Sequence, residues 1–342
     1  SPRRLAARAA ASRMAFERGE QVGGTIGYRV RLDSKISRAT RIEVVTEGVF
    51  TRMILDDPEL RGVAAVIFDE FHERSLDGDL GLALARDTQS ALRPDLKLIV
   101  MSATLDAARV ASLLGDAPVI VSEGRMFPVR HFYRPRDTRA RLEEEVAAAT
   151  RAALAAEPGS ALVFLPGVGE INRTAEQLRA TIRDPNVDIL PLFGAMNAAE
   201  QDAAISPAPA GRRKVVLATS VAETVDRPEI MDADLSGVAL ELAAWGVSDP
   251  TPLAWLDPPP APAWNEAIAL LKRIGALDSD GRLTPHGEAI AKLPLPARLA
   301  HMVTIAARSG DVLLAARIAM LLTEQGLGGR STDLRDRLFV FR

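Results

Sequence analysis

Two adjacent carboxylates near residue 70 are the side chains of this chain whose types and spacing are best suited to chemistry. Residues 63–68 form an unbroken apolar run, and Asp69, Glu70, Phe71 and His72 follow it directly. Such a run predicts a strand buried on both faces, as in parallel sheets. Open α/β sheets bind ligands at the carboxyl ends of their strands, where paired carboxylates can hold Mg²⁺ and position water against a phosphate. An Asp-Glu pair alone is more typical of a solvated loop, so the surrounding sequence must decide.

The elements around this pair alternate between strand and helix patterns. This alternation predicts parallel sheets built from βαβ units, in two α/β domains that meet near residue 125. From residue 232 onward the pattern changes to helices with short turns, and a hairpin-like stretch spans residues 277–285. The predicted strands are 41–46, 63–68, 96–101, 119–122, 161–165, 188–192 and 214–218, and the predicted helices are 4–17, 48–55, 76–91, 107–114, 141–156, 170–182 and 198–205.

Length and composition restrict the class of protein. A chain of 342 residues predicts about two to four domains. With 47% hydrophobic and 25% charged residues it has the composition of a soluble globular protein. The sequence shows neither a long apolar run nor a basic-then-apolar leader, so we expect a cytoplasmic protein with no membrane partner. It contains no cysteine and four scattered histidines, which excludes disulfides and thiolate metal sites and disfavours a multi-histidine metal centre.

The net charge of −3 hides a basic region at the start of the chain. Residues 1–52 contain eleven Arg and Lys residues against five Asp and Glu residues, a local balance of +6. Such an excess is expected of a phosphate-binding surface. An ordinary solvated helix surface explains the charge equally well.

The motifs of the chain resemble those of superfamily 2 helicases, specifically the DEAH/RHA group and its bacterial HrpB-like branch. Residues 69–72 resemble motif II, with Phe71 where the group has alanine, and residues 102–104 resemble motif III. A Ser-Ala-Thr sequence alone is a weak signal, but six motifs in order over about 220 residues are specific. The segments that resemble motifs Ia, Ib, IV and V are 2–7, 27–31 with 46–52, 164–171 and 218–224.

The resemblance implies a fold of four parts. Two tandem RecA-like parallel-sheet domains would occupy residues 1–124 and 125–231. A winged-helix domain would follow at 232–295, and the start of a helical ratchet bundle at 296–342. The three tryptophans, Trp245, Trp255 and Trp264, are expected to be core residues rather than platforms for base stacking.

The resemblance also implies an ATP-dependent RNA helicase or translocase, a monomer that couples hydrolysis of Mg-ATP to movement on single-stranded RNA. Asp69 would hold Mg²⁺, and Glu70 would orient or deprotonate the attacking water. A carboxylate suits both roles because it is ionised at neutral pH and only accepts hydrogen bonds. Ser102 and Thr104 would complete the nucleotide site. His72 would have a coupling role and would hydrogen-bond either toward the second domain or toward the strand end with Ser102 and Thr104. A capping role is the alternative for His72.

Contacts to RNA phosphates and sugars follow from the same resemblance. Short hydroxyl side chains and glycine let backbone N–H groups approach phosphates, and arginine adds charge. Contacts of this kind give little sequence preference. The prediction of RNA rather than DNA rests on the family resemblance alone. An ordinary surface position is the alternative for each arginine. The matched residues are Arg3, Arg4, Thr46, Arg52, Gly167 and Thr219.

Two motifs of the group have no counterpart in the sequence. The Gly-x-Gly-Lys-Thr phosphate loop normally precedes motif Ia, and the arginine-rich motif VI normally follows motif V, whereas here Val225 follows Thr224 directly. We expect residues to be left out between Thr224 and Val225, because a true deletion there would remove the last strands of a sheet. A truncated chain is the alternative. A non-catalytic RNA-binding scaffold with a degenerate nucleotide site is the alternative function. The intact Asp69 and Glu70 favour the enzyme.

Overall fold

The computed structural model describes residues 2–103, 107–122, 128–135, 137, 139–193, 196–219, 227–323, 327, 329 and 331–340. The chain divides into two compact units. The continuous unit comprises Ser122–Thr224 together with Ser1–Pro2, and the discontinuous unit comprises Arg3–Val121 and Val225–Arg342. The discontinuous unit is therefore built from two stretches of chain that are far apart in sequence.

The first stretch of the discontinuous unit contains two separate small sheets. Strand β1 is central in one of them, antiparallel to β2 and parallel to β3. Strands β4 and β5 form a parallel pair in which Ile67 lies opposite Ile99. The elements are α1 (Pro2–Glu17), β1 (Ile26–Val30), β2 (Asp33–Lys35), β3 (Ile42–Val45), α2 (Glu47–Asp56), β4 (Ala65–Phe68), α3 (Leu76–Ala91), β5 (Lys97–Val100) and α4 (Ala107–Leu113).

Only one face of the β4–β5 pair is buried. Val66 and Phe68 are buried, but Ile67 is 56% exposed and Ile99 is 45% exposed. The prediction that residues 63–68 are buried on both faces is therefore wrong for the part of the chain that the structure describes. The physical reason is that α3 packs against Phe68 on one face, while no described element shields the other.

The continuous unit holds a three-stranded parallel sheet with the order β6-β8-β7. Its core joins β6 and β8 to α6 through Leu165, Ile171, Leu178 and Leu217. Helix α7 begins at Asn197 with a capping box. The elements are α5 (Leu142–Ala156), β6 (Ala161–Leu165), α6 (Val168–Thr181), β7 (Val187–Leu192), α7 (Ala198–Ile205) and β8 (Arg213–Thr219).

The second stretch of the discontinuous unit is helical. Leu277 and Leu283 pair in an antiparallel bridge, which confirms the predicted hairpin. Gly287 follows it closely, and a Cβ there would lie 2.1 Å from the carbonyl oxygen of Ala276, so only glycine fits. Among the described helices none is long and apolar enough to cross a membrane. The elements are α8 (Ser236–Trp245), α9 (Ala261–Arg273), α10 (Pro285–Ala291), α11 (Ala297–Ser309), α12 (Val312–Thr323) and α13 (Leu334–Val340).

The two stretches of the discontinuous unit share one hydrophobic core. Trp255 and Trp264 are buried in it, and half-buried Trp245 donates its Nε1–H to Asp87 of α3 at 2.8 Å, as expected of core tryptophans. Helices α8 to α10 are therefore folded together with α2, α3 and β4. Large side chains of this core include Phe50, Ile54, Leu80 and Leu84 from the first stretch, and Leu235, Leu242, Leu271 and Ile290 from the second.

All but one of the predicted strands and helices are present, with ends displaced by at most two residues. Residues 119–122 form no strand, and Ile120 is 91% exposed, because an apolar run makes a strand only where another strand pairs with it. Strands β1 and β2 were not predicted. The alternation of Ile26, Tyr28 and Val30 with Gly27 and Arg29 is the signal that could have found β1.

Three acidic side chains lie near one another on α2, α3 and α8, and two of them, Glu47 and Glu241, are half-buried. Burial, reinforced by the charge of Asp77, raises the pKa of Glu241 to about 7, although Arg52 opposes the shift. Burial likewise raises the pKa values of Asp77 and Glu47. A carboxyl group that keeps its proton in the folded state favours the unfolded state once the pH exceeds its ordinary pKa.

Glu241→Gln should remove part of the pH dependence of stability. The unfolded Glu241 ionises near its ordinary pKa of 4.5 and the folded one near 7, so the free energy of unfolding of the parent falls as pH rises between these values. We expect the variant to match the parent near about pH 4 and to be more stable by about 2–3 kcal/mol near about pH 8, measured by urea unfolding. Glu266→Gln, at an exposed position of α9, is the matched control. A stability difference that does not change with pH would contradict this reasoning.

Candidate functional site

Residues 69–74, which we name the acidic turn, leave the carboxyl end of β4. Glu70 and Arg74 have left-handed backbone conformations, with φ values of 51° and 46°, and they flank a 3₁₀ turn at Phe71–Glu73. This conformation is uncommon outside glycine and costs about 1–3 kcal/mol, so contacts from outside must hold it. The acidic turn is therefore a constrained segment.

Backbone hydrogen bonds from the end of β5 supply part of this restraint. The N–H of Phe71 donates to the carbonyl of Met101 at 3.0 Å, and the N–H of Met101 donates to the carbonyl of Phe68 at 2.8 Å. The ring of Phe71 is buried and packs edge-on against Phe68. The turn after β4 and the segment after β5 therefore hold each other in place.

The carboxylates and the histidine of the acidic turn lie at its surface. Asp69 Oδ1 accepts the backbone N–H of Glu70 at 2.9 Å, which orients the Asp69 carboxylate. Glu70 is the more exposed partner of a contact in which its Oε2 lies 3.3 Å from His72 Nε2. Both carboxylates remain accessible to a ligand from solvent.

His72 connects Glu70 to the segment after β5. Its Nδ1 lies 3.4 Å from the backbone N–H of Ala103, which donates to it. Because Nδ1 accepts, a neutral His72 carries its proton on Nε2 and donates it toward Glu70. The predicted contact of His72 with the Ser102–Thr104 segment is thus made through the backbone of that segment.

The structure brings most of the predicted nucleotide-site residues to one edge of the β4–β5 pair. Asp69, Glu70 and His72 follow β4, and the exposed Ser102 follows β5. The carboxyl ends of parallel strands meet at the same edge, so the placement follows from the strand pairing. Thr104 lies outside the described residues.

Arg3 and Arg52 both have partners within the chain. Arg3 forms ion pairs with Glu47 and, at 3.8 Å, with Glu73 of the acidic turn. Arg52 pairs with Asp56 and donates to the carbonyl of Ala291 at 2.9 Å. Each is partly exposed, so a phosphate would have to share the guanidinium with these partners or replace them.

Glu47 and Ser75 are site residues that the sequence analysis missed. Ser75 caps α3, accepting from the N–H of Gly78 at 3.0 Å, and its hydroxyl donates to Glu47 at 2.7 Å. Arg3 is thereby connected to the start of α3. A serine at the N-terminal boundary of a predicted helix is a capping signal that could have identified Ser75.

The side chains of Arg4 and Thr46 make fewer contacts within the chain than those of Arg3 and Arg52. The side chain of Arg4 is half-buried and forms no ion pair within the part of the chain that the structure describes. Thr46 precedes α2 and its hydroxyl makes no capping hydrogen bond. The first backbone N–H groups of a helix have no partner in the helix and suit an anion. The start of α2 at Thr46 is therefore suited to binding an anion.

Gly167 and Thr219 occupy the carboxyl edge of the sheet in the continuous unit. Thr219 ends β8 and pairs in register with Leu165, the last residue of β6, and Gly167 caps α6 two residues later. A Cβ at Gly167 would lie 3.1 Å from Glu170 Oε2, so glycine leaves room at this helix start. The rest of predicted motif V, and the junction of Thr224 with Val225, lie outside the described residues.

Comparison with known proteins decides the family. The fold matches the crystal structure of the Escherichia coli DEAH/RHA helicase HrpB with a TM-score of 0.85 and 41% identity, covering 97% of this chain and 51% of that one. The chain belongs to the DEAH/RHA helicase family. Residues 267–295 match the family described as "Helicase associated domain (HA2), winged-helix", which supports the winged-helix prediction within the DEAH/RHA fold.

Two curated relatives extend this result. The chain is 42% identical to the ATP-dependent RNA helicase HrpB of Escherichia coli, over 96% of this chain and 49% of that protein. It is 32% identical to the pre-mRNA-splicing factor ATP-dependent RNA helicase prp22 of Schizosaccharomyces pombe, over 90% of this chain and 33% of that protein. The chain thus spans about half of HrpB and a third of prp22.

Arg3→Ala should destabilise the protein more than Arg4→Ala. Both substitutions remove an arginine from the first turn of α1, so helix propensity cancels, but only Arg3 neutralises the partly buried Glu47. We expect the free energy of unfolding to fall by about 0.5–1 kcal/mol more for Arg3→Ala, measured in urea at low ionic strength. Equal losses for the two variants would show that the pair with Glu47 contributes nothing to the fold.

Proposed function

We propose that the protein is an ATP-dependent RNA helicase or translocase, which couples hydrolysis of Mg-ATP to movement on single-stranded RNA. The observation that carries this proposal is the acidic turn, where His72 lies between Glu70 and the backbone N–H of Ala103. Because His72 links Glu70 to the segment with Ala103, a displacement of that segment would also move the Glu70 carboxylate. The family membership supports the same activity.

The proposed architecture has two RecA-like domains at residues 1–124 and 125–231. A winged-helix domain at 232–295 and the start of a helical bundle at 296–342 would follow them. Each of the two units contains a parallel pair or sheet with motif residues at the carboxyl ends of its strands, which supports the RecA-like assignment. The winged-helix match at residues 267–295 lies within the proposed third domain.

The acidic turn fits the requirements of Mg²⁺ bound to a nucleotide. Among the described residues no three His, Asp or Glu side chains are grouped to hold a metal ion by themselves. Mg²⁺ on phosphates needs only one or two carboxylates, because water and phosphate oxygens fill its other positions. Asp69, oriented by the N–H of Glu70, is the carboxylate placed for this role. When bound, Mg²⁺ would neutralise charge on the phosphates.

The other residues of the turn would act on water and on orientation. Glu70 is exposed and acceptor-only when ionised, so it can orient a water molecule and take its proton. His72 restrains Glu70 through Nε2 and remains attached to Ala103 through Nδ1. Ser102, at the same edge, would contact the phosphates with Thr104. We assign His72 a coupling role and no proton transfer.

Each unit carries residues that would bind RNA through its phosphates. Thr46 and Gly167 stand at the starts of α2 and α6, and Thr219 at the end of β8, where backbone N–H groups or hydroxyls can donate to phosphate. Arg4 adds positive charge. Arg3 and Arg52 belong to the same proposal, but their present partners must be shared with phosphate. Contacts of this kind predict little preference for base sequence.

Glu70→Gln should abolish most ATP hydrolysis in the natural full-length protein. The amide keeps the shape of the side chain but cannot take a proton from water, so turnover should fall by about 10²-fold or more while nucleotide binding is retained. Turnover is measured with Mg-ATP, and binding with a fluorescent nucleotide. Glu73→Gln, a neighbouring substitution in the same turn, is the matched control. Turnover at the parent rate in Glu70→Gln would refute this role, and a parent protein without ATPase activity would favour an RNA-binding scaffold.

Arg4→Ala should weaken binding of all single-stranded RNAs to a similar extent. If Arg4 neutralises one phosphate, the slope of log affinity against log salt should become shallower by about 0.7–1. The measurement is fluorescence anisotropy with RNAs of unrelated sequence at several salt concentrations. Arg61→Ala, at an exposed position outside the matched motifs, serves as the control. Affinity of the parent protein that is constant between about 50 and about 200 mM salt would contradict phosphate recognition.

A further inference from the structure

Four charged side chains of alternating sign form a chain of ion pairs behind the acidic turn. Arg74 binds Asp79 through two hydrogen bonds of 3.1 and 3.0 Å, and its NH1 donates to Asp257 at 2.7 Å. The other oxygen of Asp257 accepts from Arg109 at 3.0 Å. We name Asp79, Arg74, Asp257 and Arg109 the four-residue ion chain. Its two positive and two negative charges balance.

The inner half of the four-residue ion chain is buried. The side chains of Arg74 and Asp79 are 7% and 2% exposed, while Asp257 is 28% exposed. Taking charges out of water costs free energy that their attraction only partly recovers, so buried ion pairs add little to stability. Removing one partner is nevertheless costly, because it leaves a buried charge without its neighbour. Such a pair orients its two side chains more than it stabilises the fold.

The four-residue ion chain joins segments that flank the candidate nucleotide site. Arg74 ends the acidic turn, and Arg109 lies on α4, which begins a few residues after Ser102. Asp257 precedes α9 in the second stretch of the discontinuous unit and lies 183 positions from Arg74 in sequence. One carboxylate thus contacts both the turn that carries Glu70 and the helix that follows the Ser102 segment.

Neighbouring contacts fix the same connection. The carbonyl of Arg74 accepts from the N–H of Glu229 at 3.1 Å, and the Glu229 carboxylate accepts from the N–H of Leu76 at 2.9 Å. Arg109 also donates to the carbonyl of Leu256 at 2.6 Å. The second stretch therefore holds the left-handed Arg74 by its side chain and its backbone.

We propose that Arg74 and Asp257 are positioning residues through which the second stretch of the discontinuous unit holds the acidic turn in its left-handed conformation and so sets the rate of ATP hydrolysis. The proposal rests on the function proposed above. Within the first stretch, Asp79 already neutralises Arg74, so the fold of the turn does not need a second carboxylate for charge balance. Asp257 instead orients the guanidinium of Arg74. It draws NH1 toward the second stretch, and a displacement of residues 255–260 is transmitted to the segment that bears Glu70.

Asp257→Asn tests this role with little change of shape. The amide oxygen can still accept one hydrogen bond, but the negative charge between two arginines is lost. In the natural full-length protein we expect kcat for ATP hydrolysis to fall about 5- to 10-fold with KM changed less than about twofold. Asp257→Glu should recover much of the loss because it restores the charge. Asp280→Asn, on the exposed turn before α10, is the matched control.

A second measurement, of hydrogen exchange, does not depend on ATPase activity. In the nucleotide-free protein, Asp257→Asn should accelerate hydrogen exchange of the amides of Phe71, Glu73 and Arg74 by about 5-fold or more relative to Asp280→Asn. These amides donate to the carbonyls of Met101, Glu70 and Phe71, respectively. Arg74→Lys should do the same, since lysine cannot bind Asp79 through two bonds and reach Asp257.

The outcomes separate the two proposals. Unchanged exchange in the turn overturns the positioning role, and so does faster exchange spread evenly over the discontinuous unit, which would mark a general loss of stability. An active parent with unchanged kcat in Asp257→Asn also overturns it. A parent without ATPase activity refutes the proposed function instead. Faster exchange confined to the turn with reduced kcat supports the inference.

Discussion

The reciprocal hydrogen bonds between the ends of β4 and β5 are the constraint on which the site depends. The N–H of Met101 donates to Phe68 and the N–H of Phe71 donates to Met101, so the chain must turn sharply between the two bonds. This places Glu70 in a left-handed conformation and turns its side chain outward. The same bonds fix the distance between the carboxylates and the segment after β5. A shift of either strand end would move both motifs together.

Many of the basic side chains in the first 52 residues are held in place by acidic partners, which the net charge of this segment does not reveal. At least six of the eleven basic side chains form ion pairs, and Arg3, Arg8 and Arg29 pair with acids distant in sequence. Pairing leaves the net charge unchanged but fixes where each guanidinium lies. A phosphate approaching this surface would compete with carboxylates at these six positions, whereas Arg4 forms no ion pair within the part of the chain that the structure describes.

The sequence predicted the parts of the site that are local in the chain and missed those that depend on distant contacts. Asp69, Glu70 and His72 could be placed because strand pattern and motif spacing are local properties, and the pairing of β4 with β5 then brings Ser102 to the same edge. The partners of Arg52 and Arg74 could not be predicted, since Ala291 and Asp257 are far along the chain and neither belongs to a motif. Exposure of Ile67 also depends on what covers the sheet, which an apolar run does not encode.

Domains defined by sequence and units defined by packing differ in this protein, and the difference bears on mechanism. The second stretch of the discontinuous unit shares a core with α2, α3 and β4, as Trp245 bound to Asp87 illustrates. A shared core resists hinge motion, because separating its halves would expose apolar surface to water. Signals between this stretch and the acidic turn must therefore travel as small displacements. A hydrogen-bonded ion pair also fixes the relative orientation of its two partners, which apolar packing alone does not. The ion pairs of Asp257 are contacts of that kind, and they lie where the shared core reaches the surface.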